Sequence, residues 1–102
     1  MGFAYSRGYK MSYKEQGLIY FTCQNYRTAA PAVKRKIDEL CAAVGGEDYA
    51  AALHRMVTTD ATLTKISMEY YVSVRTLYRL RQVFYAAWRD YPRSLKKFKR
   101  KK

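Results

Sequence analysis

Residues 62–88 read TLTKISMEYYVSVRTLYRLRQVFYAAW, and the spacing within them decides the fold. The stretch reads as two helices joined by a tight turn, the second rich in arginine. Thr62 or Thr64 can cap a short helix with Ile66, Ser67 and Tyr70 turned inward, and Tyr71-Val72 interrupts the pattern before Ser73 restarts it. The Ser73 hydroxyl can accept from the amide of Arg75 or Thr76. From there Leu77, Leu80, Phe84 and Trp88 recur at intervals of three and four, one apolar stripe on a helix of about four turns. That stripe must face a core. Val74, Arg75, Tyr78, Arg79 and Gln82 fall on the opposite side, where guanidinium, phenol and amide groups suit guanine, adenine and phosphate in a major groove. The reading is a DNA-binding helix-turn-helix at 62–88. A helical hairpin with arginines outside also occurs in proteins that never meet DNA, so the next weight is carried by charge.

Lysine and arginine number 20 against 8 acids, a formal net charge of +12. The excess is uneven: residues 1–60 hold 8 basic and 6 acidic side chains, whereas residues 61–102 hold 12 and 2. The basic half is the half with the expected helix-turn-helix. Such asymmetry costs self-repulsion unless a polyanion relieves it, and DNA, RNA or an anionic membrane surface could do so. No apolar run approaches the roughly 20 residues needed to span a bilayer, and the start MGFAYSRGYK lacks the order of a secretory signal. A cytoplasmic protein with no membrane partner is expected.

The 102 residues give room for one domain, and 49% hydrophobic content is enough for a core. The expected architecture is all-α, a small helical bundle with a C-terminal helix-turn-helix. Residues 1–11 show no period and are expected to be a flexible arm before a helical domain over 12–92. Ser12-Tyr13-Lys14-Glu15 matches a capping box, so a helix can begin there and run to about Tyr26. Gly17 weakens that helix, and the run Leu18-Ile19-Tyr20-Phe21 is too continuous to assign a face, which leaves a strand-like segment open.

Pro31 marks the start of a further helix, about Ala32 to Val44, burying Val33, Ile37, Leu40, Cys41 and Val44. Gly45-Gly46 ends it, because glycine enters the left-handed region without strain. The next helix, roughly Glu47 to Val57, turns Tyr49, Ala52, Leu53, Met56 and Val57 inward, with His54 beside that stripe as a structural residue. Pro92 closes the long arginine-bearing helix. Residues 93–102 then carry seven basic side chains in ten and are expected to be a disordered basic tail adding sequence-blind phosphate contacts.

Chemistry other than binding finds little purchase. Cys23, Cys41 and the lone His54 give neither the number nor the short spacings of a zinc site, so no metal and no cofactor are expected. There is no glycine-rich phosphate loop, nucleophile elbow or pair of convergent carboxylates, and the chain is too short for a tyrosine recombinase. The expectation is a protein that is not an enzyme.

The strings Tyr71-Val72-Ser73, Arg75-Thr76-Leu77-Tyr78-Arg79-Leu80, Phe84-Tyr85 and Trp88, with VKRKIDELCAAVGG at 33–46, resemble small regulators of the ArpU and RinA type. These come from phages and integrated elements of Gram-positive bacteria, and their carboxy-terminal half is similar to region four of a sigma factor. The likeness covers about residues 28–90. It implies a sequence-specific, double-stranded DNA-binding transcriptional regulator of phage or mobile-element origin. Ser73, Arg75 and Thr76 would sit at the mouth of the major groove, Tyr78, Arg79 and Gln82 would read or flank bases, and Lys65 would meet the backbone. Two positions depart from the pattern: Ser67 stands where alanine is usual, and Tyr71 where glycine is usual.

On this reading Lys65, Arg89, Arg93, Lys96 and Lys97 position the protein on phosphates while Arg75, Arg79 and Gln82 select bases. An activator would also touch RNA polymerase, for which Asp38, Glu39, Glu47 and Asp48 are candidates away from DNA. The protein could act as a homodimer on repeated half-sites. Two alternatives remain open: an architectural or packaging protein similar to a small terminase subunit, and a single-strand binder, since eleven tyrosines offer faces on which bases stack.

Overall fold

The computed structural model describes residues 12–99, and every regular element among them is helical. The chain runs through α1 (Tyr13–Gln24), a 3-10 turn (Tyr26–Thr28), α2 (Pro31–Thr58), α3 (Leu63–Tyr70), α4 (Val74–Arg89) and α5 (Leu95–Lys99). The expected flexible arm at 1–11 lies outside the described residues.

The capping box starts α1 as its sequence demands: the Glu15 amide donates to Ser12 Oγ at 3.1 Å, and the Ser12 amide to Glu15 Oε1 at 3.4 Å. Apolar residues then occupy two sides of this helix. Ile19 and Cys23 are buried, while Leu18 and Phe21 are 62% and 57% exposed. The run from Leu18 to Phe21 therefore offered no single face to a sequence reading, and the strand alternative is not what the chain adopts.

Two adjacent glycines shape α2 for different reasons. Gly46 has φ 64° and ψ −167°, a conformation nearly confined to glycine, so the backbone alone dictates the residue. At Gly45 the constraint is space, because a Cβ there would lie 2.6 Å from the Ala50 amide nitrogen. A straight helix of this length would span about 42 Å, yet the largest extent of the fold is 31 Å. The break at Gly46 turns the second segment so that both halves line one core. Ile37, Leu40 and Cys41 come from the first half, and Ala52, Leu53, Met56 and Val57 from the second. Tyr49, expected inward, stays 36% exposed.

The other helices pack around α2, which contacts α1, α3, α4 and α5. Polar ties hold the joints. Asp38 accepts from the Tyr26 hydroxyl at 2.9 Å and lies 3.0 Å from His54 Nε2, linking the 3-10 turn to both halves of α2. Gln24, at the end of α1, donates its side-chain amide to the carbonyls of Val57 and Thr59, 3.1 and 2.9 Å away. Those carbonyls lie where a helix end leaves acceptors without intrahelical partners. Lys36 Nζ sits 3.9 Å from the centre of the Trp88 ring, pinning the end of α4 to α2.

The basic tail differs from expectation where it can be seen. Residues 95–99 form α5, and Leu95 and Phe98, three apart, pack against the core. Ser94 is buried and donates its hydroxyl to the Ala87 carbonyl at 2.7 Å. Counting charges hid these anchors: two apolar residues at helical spacing outweigh the repulsion of the lysines between them.

Candidate nucleic-acid interface

The face centred on Arg75 and Arg79 is assembled by caps and a turn. Thr62, not Thr64, starts α3, its hydroxyl accepting from the Lys65 amide at 3.1 Å. Ile66 turns fully into the core, whereas Tyr70, expected inward, is 37% exposed. α3 ends at Tyr71, whose φ of 56° and ψ of 44° place it in the left-handed region. The amides of Tyr71 and Val72 both reach the Ser67 carbonyl, the latter at 3.2 Å, and Val72 is buried. This is a Schellman-type ending, with the apolar residue after the left-handed one tucked inside.

Tyr71 thus takes the conformation for which glycine is usual, and its side chain escapes the joint at 94% exposure.

Ser73 then caps α4: its oxygen accepts from the Thr76 amide at 3.1 Å, and its hydroxyl lies 2.9 Å from Thr76 Oγ1. Of the two amides open to it, the serine takes that of Thr76. Both hydroxyls are therefore engaged in building the start of the helix. From Leu77 through Phe84 the inner face is buried, and Trp88 is half-buried. Burial also extends to a flank that the sequence reading did not include: Arg81 and Tyr85 are 5% and 2% exposed. Tyr20 and Cys23 of α1 line a small cavity with these two residues, so α1 covers that side of α4. The Arg81 guanidinium lies 5.1 Å from the Tyr78 ring centre, and its Nε has no hydrogen-bond partner. Its place between Leu80 and Phe84, beside the stripe, was the available signal.

Opposite the core, Arg75 and Arg79 are exposed, Tyr78 is 39% exposed and Gln82 is half-buried. Their spacing of three, four and seven puts them on one face. Lys65 is exposed in the first turn of α3. Arg89 shares the outer side of α4 but lies about 21 Å further along the axis, 3.7 Å from Glu15. Arg93 is held by Asp90 at 2.7 Å, Lys96 is exposed, and the Lys97 side chain lies outside the described residues. The predicted residues therefore form two groups: one around the start of α4 and one at its far end.

Acids are kept from opposing this face. Residues 61–102 contain two carboxylates, Glu69 and Asp90. Glu69 pairs with Arg55 at 2.8 Å and Asp90 with Arg93. Of the acids considered for a polymerase contact, Asp38 is bound by Tyr26 and His54, and Glu39 accepts from Tyr91 at 2.6 Å. That leaves Glu47 and Asp48 as exposed acids at the bend of α2.

Among the described residues no group of three or more His, Cys, Asp or Glu side chains could hold a metal, and no helix is long and apolar enough to cross a membrane. Comparison with protein-family models, with curated proteins and with solved structures gives no match.

Proposed function

We propose that the protein binds double-stranded DNA sequence-specifically and regulates transcription, with α3 and α4 serving as a helix-turn-helix. The observation that carries this reading is the two-sidedness of α4. Leu77, Leu80 and Phe84 lock one side into the core while Arg75, Tyr78 and Arg79 stand on the other, in the half of the chain with 12 basic residues and 2 acids. Rigid anchoring matters because bidentate contacts between a guanidinium and a base require a fixed helix. Lys65, Arg89, Arg93 and Lys96 supply phosphate contacts around it. The resemblance to ArpU and RinA type regulators, and to region four of sigma factors, supports the same reading from the residues of 71–88.

Selection of bound sequences from a random duplex pool tests this. The wild type should enrich one motif, and Arg75→Ala and Arg79→Ala should each blur a different position in it, at about 1–3 kcal/mol per lost base contact. Failure to enrich any motif removes sequence-specific regulation.

A second reading, sequence-tolerant nucleic-acid binding by an architectural or packaging protein, is favoured by the aromatic exposure of Tyr70, Tyr71 and Tyr78 around the same turn. Such rings stack on bases of any identity. Equal affinity for random duplex and random single strand at matched salt would select it.

A further inference from the structure

We infer that a single internal water belongs to the fold, held where α1, α2 and α4 meet and accepting a hydrogen bond from Arg81 Nε. The starting point is the arginine itself. A guanidinium stays charged at every ordinary pH and is rarely buried without a partner, yet Arg81 is 5% exposed. None of the ion pairs among the described residues includes it. The Tyr78 ring centre lies 5.1 Å from the guanidinium carbon, which serves the delocalised charge and leaves Nε unanswered. Among the described residues, Nε is the one buried side-chain nitrogen or oxygen that no protein group satisfies. Such an atom calls for a partner from outside the chain.

The space beside it has the size and the lining for water. Arg81 and Tyr85 of α4 border a cavity of about 10 Å³, closed by Tyr20 and Cys23 of α1 and by Met56 and Val57 of α2. One water needs about that much room and two to four polar neighbours. A phenol and a thiol can each donate and accept, and burial keeps the Cys23 thiol and the Tyr85 phenol protonated. Tyr20 has further partners of its own, so Arg81, Tyr85 and Cys23 carry the site.

Charge separates water from a small anion. Burial raises the pKa of the Tyr20 phenol, Asp60 raises it further and Arg81 lowers it. A carboxylate therefore already acts on the same wall as the guanidinium, and an anion would meet its repulsion. Neutral water needs only the local donors and acceptors. With it in place, α1 can lie against the Arg81 flank of α4 without stranding Nε. The site is independent of DNA binding, and its test uses no nucleic acid.

Magnetic relaxation dispersion of the water oxygen nucleus counts internal waters of long residence in the full chain. Wild type should exceed Arg81→Met by one such water. It should exceed Arg81→Lys by the same amount, because lysine keeps the charge and puts a methylene where Nε stands. In a second measurement, on the wild type alone, the Arg81 Nε proton should show a rotating-frame cross-relaxation peak with water, of the sign that marks a lasting contact. Should Arg81→Met not fold, Arg81→Lys and the wild-type peak decide. Equal dispersion in the folded proteins overturns the inference, as does an Nε proton with no contact to water. Chloride line broadening that Arg81→Lys keeps and Arg81→Met removes would assign the site to an anion, which overturns it too.

Discussion

Arg55 on α2 and Glu69 on α3 form a two-point ion pair, with Nε 2.8 Å and Nη2 3.4 Å from the two carboxylate oxygens. The pair ties the outer side of α3 to α2, adding to the anchors that the fully buried Ile66 and the partly buried Leu63 supply on its inner side. It also neutralises a carboxylate next to the proposed DNA face. If the protein binds DNA as proposed, one contact couples structure to binding, and the coupling has a sign.

Glu69→Gln should cost about 0.2–1 kcal/mol of stability, the usual range for a partly exposed pair. On the proposed function the same change should raise duplex affinity at low salt, because a negative charge leaves the surface proposed to meet phosphates. Urea denaturation and fluorescence anisotropy on a fixed duplex measure the two effects. An affinity that falls in step with stability would place Glu69 outside the electrostatics of binding.

Tyr71→Gly should leave stability equal or higher by up to about 1 kcal/mol. Relief of the left-handed conformation, on the order of 1–2 kcal/mol, exceeds the entropy that glycine costs. The phenol contributes little to packing at 94% exposure. Tyr71→Val should instead lose about 1 kcal/mol or more, since branching at Cβ makes this region harder to adopt. Denaturant midpoints of the two variants against wild type decide the matter.

Gly45→Ala and Gly46→Ala should both destabilise, for separable reasons. At Gly46 the cost is backbone strain of about 1–3 kcal/mol, with nothing within 4 Å of the added carbon. At Gly45 the added carbon would meet the Ala50 backbone at 2.6 and 2.7 Å, so the bend itself must open. Gly45→Ala should accordingly broaden the unfolding transition or lower its slope, while Gly46→Ala shifts the midpoint alone.

Alkali should unfold the protein in a defined window. Burial pushes the Cys23 thiol from 9.0 up to about 12 and the Tyr85 phenol from 10.0 up to about 12, and it raises the Cys41 thiol as well. These groups keep protons in the folded state that the unfolded chain would release, so their contribution is complete below about pH 9 and declines as pH rises toward 12. Melting temperature across that range, with tyrosinate absorbance and thiol reactivity followed together, should show ionisation of the buried groups coinciding with unfolding. Ionisation of Tyr85 before loss of helical signal would contradict its burial.

Much of this arrangement is legible in the residues. Ser12, Pro31 and Ser73 mark helix starts, Gly45-Gly46 marks the bend, and the three-and-four spacing from Leu77 to Trp88 assigns the buried side of α4. What escapes is set by neighbours and not by local pattern. Arg81 and Tyr85 stand next to Leu80 and Phe84 at the edge of the stripe, but it is α1 lying beside α4 that makes this flank buried. Docking of 93–99 follows from Leu95 and Phe98 finding the core, which a count of lysines obscures. Tyr71 shows the converse: the turn keeps its form without the residue that usually signals it.

The grip of Gln24 on the carbonyls of Val57 and Thr59 spans 33 and 35 residues and has a temporal consequence. During synthesis, helices nearer the amino terminus leave the ribosome first. Gln24 is therefore made well before the carbonyls it holds, and the contact can close only after the whole of α2 has followed it out.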